Sequence, residues 1–183
     1  MNATSTTIQS MLSGGDRRSI GNADSTARQV LQNPDLFDEL FLCISHSDHV
    51  VRMRAADVIE KVTREKPELL HKYKTQILRK TAFIDQQEVQ WHIAQVIPRL
   101  TLTARDMENV MKVLDLYLKT SKSNIVRVMS LQALADLAMQ GKIDKDDARE
   151  AIESYAELVD TPSVKARARK LIKQLSTKGK RNY

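Results

Sequence analysis

Four valines, Val51, Val89, Val126 and Val164, stand 38, 37 and 38 residues apart, and each opens a segment of the same pattern. The segments are Val51-Arg52-Met53-Arg54-Ala55-Ala56-Asp57-Val58-Ile59, Val89-Gln90-Trp91-His92-Ile93-Ala94-Gln95-Val96-Ile97, Val126-Arg127-Val128-Met129-Ser130-Leu131-Gln132-Ala133-Leu134 and Val164-Lys165-Ala166-Arg167-Ala168-Arg169-Lys170-Leu171-Ile172. A fixed period of this length marks a chain built from repeated supersecondary units. Within a segment the apolar residues fall on the valine and then four, seven, eight and eleven positions on, as in Val51, Ala55, Val58, Ile59 and Val62. At about 100° per residue these positions share one face of an α-helix.

Each such helix is preceded by another amphipathic stretch, over about 35–44, 68–80, 106–119 and 145–158. Asn33-Pro34 and Lys66-Pro67 place proline where a helix begins, and Thr103 and Thr161-Pro162 read as caps. The connections are short and polar, which makes consecutive helices antiparallel neighbours. The predicted unit is therefore a helical hairpin of about 38 residues, repeated four times. One hairpin cannot cover its own apolar face, whereas four in a stack share a continuous core.

Composition agrees with a helical reading. Five glycines and 4% aromatic residues are few for a β-sandwich or barrel, and the apolar runs are too short to cross a membrane. The stretch Met1–Thr7 is polar and has no hydrophobic leader segment, so a cytoplasmic protein is expected. One cysteine, Cys43, excludes an intramolecular disulfide and a multi-cysteine metal site. The net charge of +6 is unevenly placed, because residues 162–183 hold eight basic groups and no acid. The basicity belongs to one end of the chain.

The Asp48-to-Ala56 string and its copies at Val89, Val126 and Val164 resemble the HEAT-repeat family, within the armadillo-like superfamily. The third and fourth copies depart from the pattern, with Leu131 and Arg169 in place of the second alanine. The resemblance covers about 33–175 and implies an all-α, right-handed superhelical solenoid of four hairpins, at about 33–66, 67–102, 103–140 and 141–175. Residues 1–32 read as an N-terminal cap and 176–183 as a basic disordered tail. The unusual string Gly14-Gly15-Asp16-Arg17-Arg18-Ser19-Ile20-Gly21 reads as a flexible turn or as an ordered, specific feature, and it resembles small prokaryotic HEAT-repeat proteins of unassigned activity.

In stacked hairpins the second helix of each unit lines the concave side. With the anchor valine facing inward, the outward positions two, six and nine residues on read Met53, Asp57, Glu60; Trp91, Gln95, Pro98; Val128, Gln132, Ala135; and Ala166, Lys170, Lys173. Met53, Trp91 and Val128 form an apolar ladder flanked by Gln95, Gln132 and Lys170, with Arg54 and His92 at its edge; Trp91 reads equally as a wedge, partly buried between adjacent second helices. An aromatic flanked by adaptable methionine and amide groups suits a peptide or protein partner. The expected function is a non-catalytic scaffold that binds another protein on this face, without a cofactor. Two alternatives stand beside it. One is a nucleic-acid module using Lys165, Arg167, Arg169 and Lys173 of the last helix. The other is an enzyme of HEAT architecture, such as a glycosylase or lyase. His46, Asp48 and His49 share one turn, but Asp48 also sits at a helix-capping position, which explains it without metal. Cys43, at the end of an apolar helix, reads as a buried structural thiol.

Overall fold

The computed structural model of the chain describes residues 8–14 and 21–176. Among them there is no strand; there are ten α-helices and four 3-10 segments. They are α1 (Ile8–Leu12), α2 (Ala23–Gln32), α3 (Phe37–Cys43), α4 (His49–Glu65), α5 (Lys74–Arg79), α6 (Gln87–Val96), α7 (Ala104–Thr120), α8 (Asn124–Met139), α9 (Lys145–Leu158) and α10 (Pro162–Ser176). Residues 15–20, most of the glycine-flanked turn, and 177–183, most of the expected basic tail, lie outside the described residues.

Local chemistry sets where these helices begin and end. The Asp48 carboxylate accepts from Val50 N at 2.8 Å and starts α4. Thr103 and Asp106 form a reciprocal capping box at the start of α7, and Asp144 caps α9 by accepting from Asp146 N and Asp147 N. The second hairpin departs from a regular pair of helices. Pro67 opens seven residues of 3-10 helix before the short α5, and Pro98 lies in a 3-10 turn, Ile97–Arg99, that ends α6 early. A proline supplies no N–H to the ladder and clashes with the preceding turn, so a full-length second helix is not formed there.

The even-numbered helices pack on one another in chain order: α2 on α4, α4 on α6, α6 on α8 and α8 on α10. Four of the five are also backed by the helix before them: α1 backs α2, α3 backs α4, α7 backs α8 and α9 backs α10, whereas α6 rests on the 3-10 turn Thr81–Phe83. Val51, Val89, Val126 and Val164 are all fully buried, each at 0% exposure, as the periodicity requires. One hydrophobic cluster runs from Ile8 to Leu175 through all of these helices.

Bonds between consecutive pairs repeat as well. Tyr117 Oη donates to Ala82 O at 2.6 Å, and Tyr155 Oη donates to Leu118 O. The Leu118 carbonyl belongs to the last turn of α7, where backbone acceptors lack intrahelical partners. Lys66 Nζ likewise reaches Leu31 O at 2.8 Å, and Lys142 Nζ reaches Pro98 O at 2.7 Å. Side chains of one pair thus cap the carbonyl ends of the pair before it.

Candidate partner-binding groove

The even-numbered helices share an open face, and a groove of about 420 Å³ crosses it. Its lining comes from four successive members of the layer: Glu60 and Arg64 of α4; Gln95, Pro98 and Arg99 at the end of α6; Met129, Gln132 and Asp136 of α8 with Gln140 just after it; and Arg167 of α10. The expected contact residues Gln95 and Gln132 are brought together here. Lys170 is exposed on α10, one turn beyond Arg167 and on the same flank.

The apolar ladder takes a different position. Trp91 and Val128 are half-buried and packed against the core, and Met53 is also half-buried. Trp91 lies edge-tilted beside His92, with ring centroids 5.6 Å apart, and its carbonyl accepts from Gln95 Nε2 at 3.3 Å. None of the three lines the groove. Three of the four expected outward positions nine residues after the valine are also inside: Glu60 is 3% exposed, and Pro98 and Ala135 are buried, while Lys173 is exposed. The buried three face the neighbouring even-numbered helix, because a helix within the layer has neighbours on two sides.

Arg54 is a clear departure from the edge position expected of it. Its side chain is buried at 2% exposure, and Nη1 donates to Leu12 O at 2.9 Å and Ser13 O at 3.3 Å, and to Gly14 O. These carbonyls follow directly on α1, so the guanidinium ties the N-terminal segment to α4. A methyl group added at Gly21, whose φ is +53°, would come within 2.7 Å of Arg54 Cζ. Gly14 O and the bare Cα of Gly21 both accommodate the Arg54 guanidinium, which is off the surface.

Glu60 anchors the groove wall. Arg64 Nη2 donates to it at 2.6 Å, and Arg99 Nη2 donates to the other carboxylate oxygen. Burial alone would raise the Glu60 pKa, but the hydrogen bonds from Arg99 and then Arg64 outweigh it and hold the carboxyl below its ordinary value. Arg99 Nη1 also reaches Glu60 O and Thr63 Oγ1, so Arg99 is fully engaged in the wall. Gln132 Nε2 donates to Asp136 at 2.7 Å. Arg167, by contrast, has no hydrogen-bond or ion-pair partner among the described residues, and neither has Lys170.

The other predicted basic residues are distributed differently. Lys165 pairs with Asp160 at 3.0 Å. Arg169 and Lys173 are exposed on α10, and neither lines the groove. Arg52, on the same flank of α4, is tied to the carbonyls of His46 and Ser47 and to Gln86 Oε1.

His92 is largely enclosed, with Nε2 4.0 Å from Asp57, and its Nδ1 has no hydrogen-bond partner among the described residues. Burial lowers its pKa; Asp57 and Glu60 oppose that shift, while Lys61 and Arg64 add to it. Among the described residues no three His, Cys, Asp or Glu side chains converge to hold a metal ion. His46, a member of the suspected turn, instead accepts from Asp48 N and bonds Gln9. Cys43 is buried, and burial followed by the charge of Glu39 pushes its thiol up to about 11.

Three groove residues lie beyond the segments that define the repeat, Arg99 and Asp136 by two residues and Arg64 by more than a turn. Met129 and Arg167 are different. They occupy the position three residues after their valines, the same register as Arg54 and His92. That shared register was a signal for them in the sequence.

A second, smaller cleft of about 220 Å³ lies between α7 and α9. Met111, Leu114, Leu118, Leu134, Tyr155 and Leu158 line it, and its one acid, Asp115, pairs with Lys119 at 2.8 Å. Comparison with protein-family models, with curated proteins and with solved structures finds no match. Among the described residues no helix is long and apolar enough to cross a membrane.

Proposed function

We propose that this protein is a short right-handed α-solenoid of HEAT type, a non-catalytic cytoplasmic scaffold that binds a segment of another protein along its even-numbered helices. The chain-order packing of those helices and the burial of the four anchor valines support the architecture. One observation carries the functional reading: a single groove takes its lining from α4, α6, α8 and α10. Residues from four repeat units meet there on a surface held by a shared core. A pre-formed surface of that kind loses little conformational entropy when a partner settles on it.

The test compares three forms of the full chain in capturing partners from cell extract: the unaltered chain, a groove variant carrying Met129→Asp and Gln132→Trp, and a cleft variant carrying Leu158→Asp. A partner lost by the groove variant and kept by the cleft variant is the expected result. A partner kept by the groove variant would refute the reading.

A nucleic-acid role for α10 is the second reading, favoured by the exposed Arg169 and Lys170, neither of which has a partner among the described residues. Against it, Lys165 is already paired, and two carboxylates, Glu60 and Asp136, sit in the groove beside Arg167. A run of closely spaced phosphates would meet those carboxylates as readily as the cations.

A further inference from the structure

We infer that the groove selects an acidic peptide segment, one whose carboxylates are spaced by uncharged residues. The inference rests on the partner-binding reading above and gives that partner its chemistry. Three observations combine. The first is charge. Glu60 consumes the charge of Arg99 and shares that of Arg64, whose side chain still remains 64% exposed. Arg167 faces the groove with no partner among the described residues, and Lys170 extends the same flank one turn further on. Against Glu60 and Asp136 the groove sets Arg64, Arg99 and Arg167, so its balance is one positive charge, which Lys170 extends on the α10 side. A guanidinium held without an acceptor presents a planar pair of donors that a carboxylate can accept in two-point fashion.

The second observation is the amide content. Gln95, Gln132 and Gln140 line the same groove, drawn from two adjacent helices. Gln95 and Gln132 each use an NH2 group internally, toward Trp91 O and Asp136, which leaves their amide oxygens as acceptors for a peptide N–H. The third is the apolar floor of Met129 and Pro98, room for an uncharged side chain between two acids. A ligand with alternating carboxylate and uncharged groups satisfies all three. A nucleic-acid strand places a phosphate at every unit, which would set some of them against Glu60 and Asp136.

The geometry also separates Arg167 from Arg169. Two residues apart on a helix, their side chains point to different flanks, and only Arg167 lines the groove. Arg169 is thus an internal control for nonspecific attraction by a basic helix.

The experiment is fluorescence anisotropy on the full chain with three labelled probes. They are a peptide repeating Glu-Leu-Glu-Ser, its analogue with every Glu replaced by Gln, and a single-stranded oligonucleotide of similar length. The acidic peptide is expected to bind at least about tenfold more tightly than its Gln analogue, and less tightly as salt is raised. Arg167→Gln with Lys170→Gln is expected to erase that preference, whereas Arg169→Gln leaves it. Thermal melts of each variant confirm that the fold is kept.

Equal affinity for the two peptides, with both abolished by Gln132→Trp, overturns the acidic preference and leaves the groove as a binding site. Binding that survives Gln132→Trp, or no peptide binding at all, overturns both. An Arg169→Gln loss as large as that of Arg167→Gln, or tighter binding of the oligonucleotide, assigns the basic helix to general anion attraction and also overturns the inference.

Discussion

Single residues carry several of the constraints. Gly21 and Arg54 act as a pair: the positive φ and the close approach of the guanidinium leave no room for a side chain at 21. Gly21→Ala is expected to cost about 1–3 kcal/mol by denaturant unfolding, the scale of a residue held in an unfavourable backbone region plus a clash. The same substitution made on an Arg54→Ala background should cost markedly less, because the clash is gone. Equal costs on both backgrounds would show that Arg54 is not packed there. His92 offers a second test. Its folded-state pKa lies below the ordinary 6.5, so the folded chain stays neutral where the unfolded chain takes up a proton. The stabilisation is therefore complete above about pH 6.5 and is lost as the pH falls below it. His92→Gln should flatten the stability profile between about pH 7 and 5, measured by urea unfolding at each pH. Neither residue's burial was legible beforehand. The register of Arg54 put it at the edge of a face, and only the carbonyls that follow α1 explain why it turns inward.

At the scale of elements, the repeat was readable because four buried valines and their helix-periodic neighbours recur at nearly constant spacing. The early end of α6 at Pro98 and the 3-10 stretch after Pro67 were less so, since the apolar pattern runs through both prolines without a break. A second marker of the period went unread. Tyr117 and Tyr155 are also 38 residues apart, and each hydroxyl meets a backbone carbonyl of the pair before it. Aromatic residues on an amphipathic face read as apolar volume, and the hydroxyl's partner lies 35 or 37 positions away. Tyr117→Phe and Tyr155→Phe are each expected to lower stability by about 1–3 kcal/mol in chemical denaturation, because each leaves a buried carbonyl without its donor. The start of α7 gives an acid-side test. The hydrogen bond from Lys74, followed by those from the Thr103 backbone and hydroxyl, lowers the Asp106 pKa from 3.8 to about 2. A depressed carboxylate stabilises the fold above its unfolded pKa. That contribution should disappear as the pH falls from about 4 towards 2, and Asp106→Asn should remove this part of the acid transition.

For the whole molecule, packing in chain order makes the two ends unlike the middle. Helices α6 and α8 each have an even-numbered neighbour on both sides, whereas α10 has one. In such a one-dimensional stack the terminal units open first. Native-state hydrogen exchange should show α6 and α8 protected most, with α10 released at lower free energy. The same geometry lets a groove gather residues from four units, which is why its unpaired Arg167 and its amide oxygens could not be placed together from the sequence: they are neighbours only once the units are stacked. The methionines report on both cavities, Met129 in the groove and Met111 in the cleft between α7 and α9. The most direct measurement is therefore a methyl NMR titration of methionine-labelled protein with the acidic peptide. Saturable shifts at Met129, with Met111 unmoved, are the predicted result; shifts at Met111 with Met129 unmoved, or no shift at either, would contradict the account.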